Sequence, residues 1–234
     1  MHMRVRRLFA ATLVAVAGGG LVAAGSALAQ PKTPELKTEE QKTMYALGVA
    51  LARNLAAFNL SPAELELVTA GLNDGVLQRE AKVDLQVYGP KLQALQAARS
   101  QEVAAKEKKA GQAFVDKAAG EKGAQKLPSG LVITPVKEGT GAIPKATDTV
   151  KVHYHGTLTD GSVFDSSVQR KEPATLAVNQ VIPCWQEAVQ KMKVGGKSRL
   201  VCPPALAYGD RGYPPQIKPG ATLVFEVELL DIVK

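Results

Sequence analysis

The sequence holds little of what covalent catalysis and metal binding draw on. Among 234 residues there are two cysteines, three histidines and one tryptophan, and aromatic residues make up 5% of the chain. It has no glycine loop for phosphate, no zinc-ligand spacing and no nucleophile elbow, so nothing points to nucleotide, zinc or serine-hydrolase chemistry. His153 and His155 have an H-x-H spacing that can ligate metal on a strand, but no third ligand accompanies them. Two half-exposed surface histidines on the face opposite Tyr154 are expected, and no cofactor. No cysteine stands near the end of the N-terminal apolar run, which argues against a bacterial-type lipid anchor. No later segment is long and apolar enough to span a bilayer, which takes about 20 residues.

What the N-terminus does have is a leader. Arg4, Arg6 and Arg7 precede an apolar run from Leu8 to Ala24, followed by Ala27-Leu28-Ala29. That order reads as a secretory signal peptide over 1–29, cut before Gln30. The rival reading is an uncleaved anchor, which Gly18-Gly19-Gly20 weakens. Removing the leader takes the formal net charge from +7 to +4, with +2 in 30–127 and +2 in 128–234. No basic stripe is concentrated anywhere, so the high pI describes a solvated surface and not a nucleic-acid footprint.

The mature chain then changes character once. From 36 to 126, glycine and proline are sparse, and Ala, Leu, Glu, Gln and Lys, all good helix formers, dominate. Thr38-Glu39-Glu40-Gln41 has capping-box spacing, and Met44, Leu47, Leu51 and Leu55 then mark one helical face. Ser61-Pro62-Ala63-Glu64 opens a second helix lined by Leu65, Val68 and Leu72. A third runs from about Pro90 to Ala119 and is polar around most of its circumference between Ser100 and Lys109. Such a helix either bridges domains through solvent or packs against a partner. Gly120, Gly123 and Pro128-Ser129-Gly130 end it. Small helical units with so little core often oligomerise.

Beyond 127 the period becomes two. Val150, Val152 and Tyr154 alternate with Lys151, His153 and His155, as in a strand with one buried face. Thr159-Asp160-Gly161 is a turn before a strand through Phe164. Ile182 to Lys191 is a short helix, and Lys197–Cys202 and Thr222–Ile232 are strands. Strands with one small helix give an α+β domain on an antiparallel sheet. Six of the eleven aromatics lie here: Tyr154, Phe164, Trp185, Tyr208, Tyr213 and Phe225. Asp165 stands directly after Phe164. An aromatic bowl with one acid suits the binding of an apolar peptide segment.

The clusters VHYHGTLTDGSVFDSS (152–167), VIPCWQEAVQKMKVGG (181–196), AYGDRG (207–212) and ATLVFEVELLDI (221–232) resemble the FKBP-type peptidyl-prolyl cis-trans isomerase domain. The resemblance covers roughly Leu127 to Lys234. It implies a curved antiparallel sheet wrapped around a short helix, and a catalytic role for Asp165, Tyr208, Tyr154, Trp185 and Phe225. Trp185 would be the pocket floor, with Tyr154, Phe164, Val181, Ile182 and Phe225 as walls. Tyr208 would aim its hydroxyl at a substrate carbonyl and the Ile182 N–H would offer a second donor. Asp165 would face the twisting amide, paired with Arg170, while Tyr213 and Ile217 would sit on the flexible rim. The helical part, 30–126, resembles the N-terminal domain of exported bacterial relatives, including the macrophage-infectivity-potentiator group, through Tyr45-Ala46-Leu47-Gly48-Val49 and Gly71-Leu72. That similarity implies a homodimer, with the long helix holding the catalytic domain away.

Departures from the family pattern also carry expectations. Ala174 and Leu176 stand where many relatives have an aromatic, and Gln216 where an aliphatic rim residue is common. A thinner wall and altered binding of macrolide inhibitors would follow. Cys184 and Cys202 replace Gly and an aliphatic residue. In the family's fold the helix bearing Cys184 packs near the strand that Cys202 ends, which favours a disulfide over two buried free thiols in an exported chain. The expected activity is isomerisation of Xaa-Pro bonds in unfolded exported clients, in the periplasm, at the outer-membrane surface or after secretion. The alternative is a dimeric holdase with isomerisation secondary.

Overall fold

A computed structural model describes residues 35–233. The expected leader and its cleavage point before Gln30 lie outside the described residues. Contacts divide the chain after Lys42, and everything from Thr43 onward forms one compact unit.

Three helices come first. Helix α1 (Glu39–Leu55) opens with the expected box: Gln41 N donates to Thr38 Oγ1 at 3.1 Å, and Thr38 N donates back to the Gln41 side chain at 3.1 Å. Helix α2 (Pro62–Val76) has the second box, between Ser61 and Glu64. Glu64 also accepts a hydrogen bond from the Arg99 guanidinium, which with the Ser61 backbone N–H holds its carboxyl down to about 2. Helix α3 (Leu85–Ala119) starts five residues earlier than Pro90, because the Asp84 side chain caps it by accepting from Gln86 N at 2.7 Å. Neither α1 nor α2 contains a buried residue, whereas α3 buries Ala104, Gly111, Val115 and Ala118.

The rest is a seven-stranded antiparallel sheet in the order β1-β2-β6-β7-β3-β4, with β5 paired to β3. The strands are β1 (Gln125–Lys126), β2 (Val132–Lys137), β3 (Thr149–Leu158), β4 (Val163–Ser166), β5 (Ala174–Ala177), β6 (Lys197–Cys202) and β7 (Leu223–Val233). Two short helices interrupt it, α4 (Ser167–Arg170) and α5 (Pro183–Val189). β1, β2, β5 and α4 were not anticipated from the sequence; β1, β5 and α4 have four residues or fewer, and β2 contains Pro135.

Period two sorts the sheet's residues onto two faces. Leu131, Ile133, Leu200, Cys202, Leu223, Phe225 and Val227 join the main core against α5, whose Cys184, Trp185, Ala188 and Val189 are buried. The residues between them, Val132, Val201 and Val224, face the other way and pack with Val115 and Ala118 of α3. The C-terminal half of the long helix therefore lies on the sheet. Small residues at Ala104 and Gly111 let it sit close where larger side chains would separate the layers. Cys184 and Cys202, both fully buried, are joined by a disulfide between α5 and β6, Cα to Cα 5.7 Å.

Candidate active site

Strand register brings the expected side chains together on the sheet face that packs against α5. On β3, Gly156 pairs with Asp165 of β4 on one side and with Phe225 of β7 on the other. Gly156 is a spacing residue, since a Cβ there would lie 2.7 Å from the Phe164 ring and 3.0 Å from the Phe225 ring. With no side chain in that position, the two rings close over the strand edge-to-face, centroids 5.5 Å apart. Phe225 meets Trp185 the same way at 5.4 Å, and Trp185 meets Tyr154 at 5.4 Å. Four rings thus form a continuous chain within the range where such pairs contribute about 0.5–1.5 kcal/mol each beyond burial.

Trp185 is 4% exposed and forms the base of this chain. The Ile182 carbonyl orients it, accepting from Trp185 N at 2.9 Å and Gln186 N at 3.1 Å, with Pro183 in the first turn of α5. The Gln186 side chain donates to the Val181 carbonyl at 2.7 Å, so Val181 and Ile182 are fixed at the entry to the helix and pack against the same core. The indole N–H of Trp185 is buried with no hydrogen-bond partner among the described residues. Leaving a buried donor unpaired costs about 1–3 kcal/mol, which the apolar surroundings of a bowl impose.

The acid sits at the rim of the bowl. Asp165 accepts hydrogen bonds from the Tyr154 hydroxyl and from the Arg170 guanidinium, and Arg170 also donates to the Tyr154 oxygen at 2.9 Å. Partial burial pushes the Asp165 carboxyl up, but the hydrogen bonds from Tyr154 and Arg170 together outweigh it and hold its pKa below the ordinary value. Burial, and then the bond to the Asp165 carboxylate, raise Tyr154 above its ordinary value. At neutral pH the pair is therefore a carboxylate and a protonated phenol. Arg170 reaches both because α4 turns the chain back immediately after β4. Ser166 caps that helix, accepting from Gln169 N at 3.2 Å.

Ser167 was quoted within the motif with no role of its own, yet it organises this corner. It is fully buried, its hydroxyl accepts from Tyr154 N at 2.7 Å and lies 3.2 Å from the Tyr154 carbonyl. His153 and His155 each place Nδ1 against a serine hydroxyl, Ser167 at 3.1 Å and Ser166 at 3.0 Å. Gly156 was quoted within the motif but given no role. A glycine among alternating apolar residues in a strand was the available signal.

Tyr208 and Tyr213 stand together on the loop before β7, rings 5.7 Å apart, 38% and 60% exposed. Burial first, then the neighbouring Tyr213 and Asp165, raise the Tyr208 hydroxyl above its ordinary value, so it stays a donor at neutral pH. Ile217 is not on the rim. Paired backbone bonds between Tyr213 and Ile217, 2.7 and 2.9 Å, fold the loop back and leave Ile217 2% exposed in the core that holds Trp185. Ala174 and Leu176 pair with Val152 and Val150 and are half-buried against that core, while Gln216 is exposed.

Comparison with known proteins identifies the family of the chain. A model of FKBP-type peptidyl-prolyl cis-trans isomerases matches residues 141–230, and a model of the domain amino terminal to FKBP-type peptidyl-prolyl isomerases matches 40–133. The chain is 42% identical to FKBP-type peptidyl-prolyl cis-trans isomerase FkpA of Aeromonas hydrophila, over 88% of this chain and 81% of that protein. It is 40% identical to the FKBP-type 22 kDa peptidyl-prolyl cis-trans isomerase of Escherichia coli, over 86% and 99% respectively. The crystal structure of FkpA from Escherichia coli superposes with a TM-score of 0.63 at 37% identity, covering 85% of this chain and 98% of that one. Two family models matched in order along the chain, and relatives aligned over nearly all of it, place this protein in the FKBP-type peptidyl-prolyl cis-trans isomerase family.

Proposed function

We propose that the chain isomerises Xaa-Pro bonds of exported polypeptides in the bowl formed by Tyr154, Phe164, Trp185 and Phe225, with Asp165 as its one charged group. The observation that carries this reading is the Asp165–Tyr154–Arg170 triangle at the lip of four edge-to-face rings. Rotation about a peptide bond meets a barrier of about 18–20 kcal/mol. Cis and trans X–Pro forms differ by only about 0.5–1 kcal/mol, so the barrier is what needs lowering. Twisting the amide removes resonance and, with it, charge separation between O and N. An apolar floor under the proline ring disfavours the planar dipole more than the twisted bond, and only such differential stabilisation accelerates the step. Asp165 acts on the rotating carbonyl as a fixed charge and transfers no proton, and Tyr208 donates to a substrate carbonyl. The Ile182 N–H is the second donor, Val181 completes the apolar lining, and Tyr213 meets the residue before proline. Ala174 and Leu176 leave that wall open, which weakens macrolide inhibitors relative to aromatic-walled members.

The test is a peptide isomerisation assay on the whole chain. Asp165→Ala and Trp185→Ala each lower kcat/KM by about 100-fold, the scale seen when one preorganised polar group is removed from a site. Wild-type turnover in both variants would sink the reading.

A second reading, a dimeric holdase, is favoured by one observation. Met44, Leu47, Leu51, Leu65, Leu72 and Leu92 are all exposed by 43–58% on helices with little core of their own. A second copy of the chain covers that surface in this reading, and the arms then cradle clients. Sedimentation giving twice the mass of the mature chain is expected, with suppression of client aggregation retained in Asp165→Ala. A monomer at all concentrations, or loss of suppression together with turnover, removes the separate holdase. Export rests on the leader, and cleavage before Gln30 is read directly by N-terminal sequencing of the exported form.

A further inference from the structure

The loop 207–220, which carries Tyr208 and Tyr213, is closed on itself and stands on α3. Gly220 N donates to the Gly209 carbonyl at 2.9 Å, and Gly209 N to the Pro204 carbonyl at 2.8 Å. Beneath them, Ala104, Glu107, Lys108 and Gly111 recur at i, i+3, i+4 and i+7, which is one helical face. Lys108 pairs with Asp210 at 2.5 Å, and Glu107 with Lys218 at 3.2 Å, so each limb of the loop has its own ion pair to the helix. Gly220, with φ +74°, lies so close to α3 that a Cβ would meet the Ala104 carbonyl oxygen at 2.5 Å and its Cα at 2.8 Å. A Cβ on Gly111 would meet Thr222 Cβ at 3.0 Å and its hydroxyl closer still. Thr222 is 3% exposed, with its hydroxyl unpaired among the described residues. Along the helix toward its start, Ser100 and Val103 face Pro214, Pro215 and Pro219 across a cavity of about 160 Å³.

Exposed ion pairs contribute little to stability. Two of them on opposite limbs of one loop, with a glycine at each close approach, fix position instead. We propose that this face of α3 sets the placement of the loop bearing Tyr208 and Tyr213, so that Ala104, Glu107, Lys108 and Gly111 are positioning residues of the isomerase. The inference rests on the reading of Tyr208 and Tyr213 as substrate-facing. Its consequence is that the helical region governs which Xaa-Pro peptides the bowl accepts, through a helix that touches no substrate.

The experiment compares full-length variants on two peptides that differ only in the residue before proline, alanine or leucine. Gly111→Leu wedges the loop off the helix. It raises KM more than it lowers kcat, reduces kcat/KM by about 2- to 30-fold, and changes the ratio between the two peptides. Amide exchange across 207–220 accelerates in the same variant. Lys108→Glu has a smaller effect of the same kind, and Lys108→Glu with Asp210→Lys restores wild-type KM and peptide ratio. Unchanged KM and ratio in Gly111→Leu, or failure of the charge swap to restore them, overturns the proposal. Should Gly111→Leu not fold, the swap alone decides. Asp165→Ala run alongside separates the two readings. Full activity there removes the site itself, whereas its loss beside wild-type behaviour of the α3 variants removes only the positioning role.

Discussion

Helix α5 has seven residues and buries four of them, whereas α1 has seventeen and buries none. Local propensity does not explain the contrast, since α1 carries a capping box and many good helix formers, and α5 has no side-chain cap and opens on Pro183, Cys184 and Trp185. What differs is what each one lies on. Helix α5 is pinned by the sheet and by the disulfide to β6, while the apolar face of α1 points outward. Isolated helices of that length are marginal in water, so tertiary packing decides. The sheet region supplies its own packing; the helical region depends on something outside itself. Helix α3 belongs to both, exposed where it starts and buried where it ends.

The comparison breaks hardest if the sheet region is made to stand without α3. A chain beginning at 127 uncovers Val132, Val201 and Val224, each worth about 1.5–3 kcal/mol when fully buried. Its unfolding free energy in urea is expected to fall by about 4.5–9 kcal/mol relative to a chain beginning at Arg99. Equal stability of the two would mean that the C-terminal half of α3 is dispensable. Next in size is the disulfide. Replacing Cys184 and Cys202 by alanine costs about 3 kcal/mol for a loop of this length. That loss falls on the sheet transition in a thermal scan and leaves the helical signal unmoved. A uniform drop in both would mean the two regions unfold as one.

The smallest effect is electrostatic and sharpens the site itself. The folded-state pKa of Asp165 is depressed, so its contribution to stability is complete above the ordinary carboxylate pKa. That contribution is lost only as pH falls through the lower folded value. Arg170→Met removes a hydrogen bond and a positive charge that depress it and leaves the burial that raises it. The acid limb of kcat/KM then moves to higher pH, while the wild-type profile stays flat through pH 5. An unmoved limb would mean that Arg170 does not hold the carboxylate in its charged form.

Much of the sheet region was legible because its chemistry is written in adjacent residues. Phe164 beside Asp165, and Trp185 in the first turn of a short helix, could be located from strand and helix periods, whereas their roles and the pairing of Asp165 with Arg170 came from the family resemblance. The loop residue Ile217 was misplaced because two backbone hydrogen bonds, invisible in composition, turn it inward. The role of Ser167 depends on β3 and β4 meeting in register, a long-range fact. Helix α3 was ambiguous for a different reason. Its contact face uses Ala104 and Gly111, whose value is the room they leave, and small residues give no hydrophobic signal. The interleaved faces of β6 and β7 look the same in sequence, and only the second layer explains why Val201 and Val224 are as apolar as their neighbours.

The chain contains one tryptophan, and it lies at the base of the aromatic bowl. Indole emission from this protein therefore comes from a single address. A peptide entering the bowl changes that emission directly, whereas events confined to α1 and α2 leave it dark. The protein thus carries its own optical gauge of site occupancy, with no label required.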